Sequence, residues 1–137
     1  MKRIIAIDYG DARTGVAVSD LTGTLAGEAL TIQEWNAEKL AQRLAFFARE
    51  RDAEKFVLGL PKNMDGTEGP RAEKARQFKA LLEEASGLPV ILWDERRSTI
   101  EAHAILHAAG KKEKKHRVNV DAVAATLLLE GYLASGK

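Results

Sequence analysis

The chain has no cysteine, which excludes disulfide scaffolds and cysteine-rich zinc sites and suits a reducing compartment. Net charge is nearly absent too: the 137 residues carry a formal +1, so any pull toward a polyanion must come from local clustering of basic groups. Long apolar runs are missing. The first, Ile4 to Ile7, is cut by Asp8 after four residues, too short for a signal-peptide core, and no later stretch approaches a bilayer span. A soluble, cytoplasmic chain with no membrane partner is expected. There is no internal repeat, low-complexity segment or linker, and 137 residues with 45% hydrophobic content suit one domain over residues 1–137.

What is present is an alternation of short apolar runs and amphipathic stretches. Ile4-Ile5-Ala6-Ile7 reads as a strand covered on both faces, Gly15 to Val18 as a second, and a run from Thr24 to about Thr31 as a third, joined without helices. Asn36 can cap a helix to Arg51 with the stripe Ala37, Leu40, Ala41, Leu44, Phe47 and Ala48. Lys55 to Leu60 is a fourth strand. A turn-rich loop, Pro61 to Pro70, opens a second helix that stops near Gly87, and Leu88 to Trp93 is a fifth strand. Ser98 and Glu101 form a capping box for a helix ending at Gly110. The last helix runs from about Asn119 to Leu133, with Asp121 expected in its first turn. This order predicts an α/β fold with a mixed five-stranded sheet: an antiparallel three-strand meander at one edge, and parallel strands placed beside the first by right-handed crossovers. That is the ribonuclease H-like arrangement.

In such a sheet, sites lie outside the carboxyl ends of the strands. Asp8 leaves the first strand there, and Asp94-Glu95 leaves the fifth. Asp8 could equally cap its turn, and Glu95, taken by itself, is better read as a surface partner of Arg96 or Arg97. Glu95 has the length to reach back past the fourth strand, whereas Asp94 is shorter and alternates to the other side. Asp121, at the start of an otherwise apolar helix, has an ordinary explanation in the helix dipole. The positions together say more than each alone, because all three border one crevice. Clustered carboxylates persist where hard cations neutralise them, and Mg²⁺ or Mn²⁺ prefers such oxygen ligands. Metal-assisted cleavage of phosphodiesters is the chemistry suggested.

These residues carry a resemblance that extends over nearly the whole chain. Asp8-Tyr9-Gly10 with Arg13, Gly15 to Asp20, Gly59-Leu60-Pro61 with Asn63 to Pro70, Asp94-Glu95-Arg96, and Val120-Asp121 with Ala124-Ala125 resemble the YqgF or RuvX family. Its members are Holliday-junction-resolvase-like or pre-rRNA-processing nucleases of the ribonuclease H-like fold. The resemblance implies Asp8, Glu95 and Asp121 as the catalytic and metal-binding acids. It also implies a nucleic-acid substrate, either structured RNA or branched DNA, and leaves a homodimer open. The chain departs from the pattern at Arg97 and Glu130. Compared with crossover-junction resolvases, no acid ends the fourth strand and Ala124 stands where a fourth acid is expected, so one ion or two remains open.

Substrate contacts are expected from Arg13, from Asn63, Asp65 and Thr67 in the central loop, and from Arg96. A second set lies in the basic run: Lys111, Lys112, Lys114, Lys115 and Arg117 against Glu113 give that segment +4 and leave −3 for the rest. Gly66 and Gly69 let a phosphate approach the loop backbone, although the same residues also shape a tight turn. Two other classes stay in view: a non-catalytic nucleic-acid-binding module, and an actin-like phosphotransferase gripping phosphates with Asp8 to Thr14. The second normally closes two domains over its nucleotide. His103 and His107 lack a third zinc ligand nearby, Trp35 and Trp93 are expected in packing, and Met64 is expected to anchor its loop.

Overall fold

The computed structural model describes residues 2–21, 26–94 and 117–135. Glu95, Arg96, the helix expected from Ser98 to Gly110 with His103 and His107, and Lys111, Lys112, Lys114 and Lys115 lie outside the described residues. Five strands form one sheet in the order β3-β2-β1-β4-β5: β1 Arg3–Asp8, β2 Arg13–Ser19, β3 Ala26–Gln33, β4 Ala53–Leu60 and β5 Val90–Asp94. β1 pairs antiparallel with β2 and β2 with β3, while β4 runs parallel to both β1 and β5. The meander and the parallel half therefore meet at β1, as the order of elements predicts.

Side-chain alternation divides the core into two layers. Ile5, Ile7, Val16, Val18, Phe56, Leu58 and Val90 pack on one face under α1 (Ala37–Glu50) and α2 (Pro70–Ser86). Ile4, Ala6, Ala17, Val57 and Trp93 pack on the other with Ala125, Leu128, Leu129 and Tyr132 of α3 (Arg117–Ala134). The helix ends follow the local chemistry. Asn36 accepts the amide of Lys39 at 2.9 Å as an N-cap, and Gly87 closes α2 in the left-handed conformation that glycine adopts without steric cost.

Three expectations are corrected. α3 begins at Arg117, so Asp121 is its fifth residue and lies beyond the first turn; the helix dipole falls off within one turn and no longer accounts for an acid there. Trp35 is 73% exposed and does not pack, whereas Trp93 is buried. Met64 is 88% exposed, so it does not anchor its loop in the core. Among the described residues no helix is long and apolar enough to cross a membrane.

Candidate active site

Asp8 is the last residue of β1, and its alternation with Ile4 and Ala6 puts it on the face that α3 covers. Across the ladder Asp8 pairs with Gly15 of β2. Gly15 is also where α3 touches the sheet: a methyl group there would collide with the Asp121 carbonyl oxygen. One glycine therefore has Asp8 beside it in the ladder and the backbone of Asp121 directly above it. Arg13, two residues away on the same face, brings Nε to 3.5 Å from Asp121 Oδ2.

That contact leaves Asp121 incompletely satisfied. Oδ2 is buried and receives no hydrogen bond among the described residues, so the guanidinium offers charge at ion-pair distance without a donor geometry. Burial pushes the Asp121 carboxyl above its ordinary range, and the nearby Arg13 charge only partly offsets this. A buried carboxylate oxygen held this way lacks, among the described residues, the donor or cation that would fully offset its desolvation.

The turn between β1 and β2 is rigid. Thr14, fully buried, accepts the Gly10 amide at 3.3 Å and donates to the Gly10 carbonyl at 3.4 Å. Tyr9 points to the opposite face and stacks on Phe78 of α2, with centroids 4.3 Å apart. Burial, then the charge of Asp11, raises the Tyr9 phenol further above its usual pKa, against a smaller opposing effect of Lys74. Beside this ring a cleft of about 300 Å³ opens at the carboxyl ends of β1 and β4, and Arg71 and Lys74 line it. Lys74 contacts Asp11 at 3.3 Å. These two cations escaped the sequence reading, because helical spacing shows that they share a face but not which cleft the face borders.

The loop from Asn63 to Gly69 folds on itself. Asn63 Nδ2 donates to Thr67 Oγ1 at 2.9 Å, and Thr67 donates to Asp65 Oδ1 through its amide at 3.0 Å and its hydroxyl at 2.6 Å. Gly66 turns the chain at φ 89°, and Lys62 bridges to Glu68, which is held by Arg76 through two contacts of 2.7 Å. All three expected contacts, Asn63, Asp65 and Thr67, are thus on one exposed hairpin, using their side chains on each other. Asp94 shares the parity of Val90 and Leu92 and faces the α1/α2 layer, as its alternation predicts. Arg117 opens α3. Among the described residues no group of three or more acidic, histidine or cysteine side chains could hold a metal ion. The third expected acid, Glu95, lies outside them.

The family model described as RuvX, Holliday junction resolvase, matches residues 2–135. A relative from Halothermothrix orenii, named "Putative pre-16S rRNA nuclease", is 43% identical over 132 residues, covering 96% of this chain and 94% of its own. One of the same name from Thermoanaerobacter pseudethanolicus is 41% identical over 136 residues, covering 98% of each. Among solved structures, Thermus thermophilus RuvC in complex with a Holliday junction substrate aligns at a TM-score of 0.65 and 13% identity, over 100% of this chain and 98% of that one. The fowlpox virus Holliday junction resolvase aligns at 0.61 and 16% identity, covering 97% and 99%. At those identities the likeness speaks for the fold, which is that of the ribonuclease H-like resolvases.

Proposed function

Because the chain belongs to the RuvX family of Holliday junction resolvases, we propose that it is a divalent-metal-dependent nuclease. It hydrolyses phosphodiester bonds in structured nucleic acid, with Asp8, Asp121 and Glu95 as its acids. The observation that carries this reading is the convergence of Asp8 and Asp121 on Gly15, with a buried Asp121 oxygen lacking a donor among the described residues. An oxygen-only donor set that includes a buried Asp121 oxygen without a hydrogen bond among the described residues fits a hard cation such as Mg²⁺ or Mn²⁺. Such an ion, when bound, lowers the pKa of a coordinated water and neutralises the departing oxygen.

The protein's own residues do the rest. Asp8 and Asp121 would hold the ion from two elements that are in contact at Gly15. Arg13, 42% exposed, stands where it can turn from Asp121 to a substrate phosphate. Arg71 and Lys74 offer positive charge across the strand ends, and the hairpin residues Asn63, Asp65 and Thr67 face substrate from the adjoining loop. Arg96 and the basic run from Lys111 to Arg117 extend the contact to flanking phosphates.

The substrate we favour is the 5′ precursor end of ribosomal RNA, supported by the names of the relatives; branched DNA is the second reading, supported by the junction bound to the RuvC neighbour. Incubating the purified chain with a labelled 16S precursor fragment and with a four-way DNA junction, each with Mg²⁺ or Mn²⁺ and with EDTA, separates them. Metal-dependent cleavage of the RNA with the junction left intact is expected. Tight binding of either without cleavage under every metal would instead mark a non-catalytic binding module.

A further inference from the structure

The geometry points to Gly15 as a positioning residue that sets the separation of Asp8 and Asp121, and hence the affinity of the site for its ion. The inference rests on the metal-site reading above and adds the element that controls it.

Gly15 has no positive φ, so its backbone would suit any residue in a strand. Volume alone requires glycine. A methyl group there would collide with the Asp121 carbonyl oxygen and carbon and lie 3.3 Å from the Ala122 nitrogen. All three are main-chain atoms of α3, which no rotamer change can move aside. Alanine therefore forces α3 and β2 apart at this point. The residue displaced is Asp121 itself, and the residue paired with Gly15 across the ladder is Asp8. Ligand distances in metal sites are set to within about 0.2 Å, so even a small displacement of Asp121 relative to Asp8 disturbs an ion shared by the two. Loss of a group that orients a metal ligand typically costs about 10–100-fold in metal affinity.

Gly131 supplies the control. It lies on the same helix, yet a methyl group there would make only an ordinary contact, 3.6 Å to Trp93 Nε1. Gly131→Ala should also favour the helical state of α3. The two substitutions thus add the same atom to the same helix–sheet interface, and only one of them pushes on a proposed ligand.

The test is Mn²⁺ titration by calorimetry, with thermal unfolding alongside, on wild type, Gly15→Ala, Gly131→Ala, the double variant and Asp121→Asn. Expected are cooperative unfolding of Gly15→Ala, alone or in the Gly131→Ala background, Mn²⁺ affinity reduced tenfold or more, and wild-type affinity in Gly131→Ala. A cooperatively folded Gly15→Ala that binds Mn²⁺ within about twofold of wild type would overturn the proposal and leave the metal site standing. Failure of Gly15→Ala to fold in both backgrounds would overturn it too, by making Gly15 a requirement of the whole fold. If wild type shows no Mn²⁺ binding that Asp121→Asn removes, the metal-site reading falls and this inference with it.

Discussion

At Asp121 two effects oppose each other: burial raises the carboxyl pKa, and the weaker pull of Arg13 lowers it. The folded chain therefore holds this proton more tightly than the unfolded one. The stability this contributes is fully present below the ordinary Asp value of 3.8 and is lost as pH rises through the folded-state value. Asp121→Asn, which has no charge to desolvate, should raise the Tm of the metal-free protein at neutral pH and give no such gain below 3.8. Melts in EDTA across the acid-to-neutral range check this; a loss of stability at neutral pH would mean that the Arg13 contact outweighs burial. Arg13 is also a competitor for the ion. Ion pairs at the protein surface contribute about 0.2–1 kcal/mol, so if the pair with half-exposed Arg13 is worth this much, Arg13→Gln should tighten Mn²⁺ binding by up to about fivefold while weakening substrate binding. Unchanged Mn²⁺ affinity would show that the guanidinium does not occupy the ion's place.

Among the elements, the hairpin before α2 separates shape from recognition. Asn63→Ala with Thr67→Ala removes two exposed side-chain bonds, of 2.9 and 2.6 Å, which should lower stability by no more than about 1 kcal/mol apiece. Substrate affinity, measured with Ca²⁺ in place of the catalytic metal, should fall about five- to tenfold, the equivalent of one phosphate hydrogen bond. A larger stability loss with intact affinity would make the hairpin a turn and nothing more. Elements of this kind were legible before the structure, since Asn36, Gly87 and the apolar alternation carry local signals that need no tertiary information. The order of strands and helices likewise implied which strand ends share an edge. What stayed illegible is contact between distant parts of the chain. Gly15 reads as one more glycine in a strand until α3 is docked on it, and Arg13 meets Asp121 across more than a hundred residues. The start of α3 was misjudged because Arg117 and Val118 read as the end of a charged loop, whereas the helix takes them in.

For the whole molecule, the formal charge of +1 conceals a segment of +4 beside a remainder of −3. A nuclease whose site is built of carboxylates needs a separate source of positive potential to draw in a polyanion. If about three side chains of the basic run engage phosphates, replacing Lys111, Lys112, Lys114 and Lys115 by Ala should flatten the slope of log K against log salt by roughly 2 to 3 units. The loss should be similar across substrate sequences, because phosphate contacts position without reading bases. Equal slopes for variant and wild type would reduce the run to a connector. The claim on which all of this depends is that Asp8 belongs to a metal-binding pair that performs the cleavage. It is met most directly by single-turnover cleavage of the 16S precursor fragment at saturating Mg²⁺ by wild type and Asp8→Asn, matched for thermal stability. Removing one group that stabilises charge in a transition state costs on the order of 10²–10³ in rate. Asp8→Asn should lose at least about a hundredfold in rate with substrate binding retained, and a variant that cleaves at the wild-type rate would show that Asp8 has no part in cleavage.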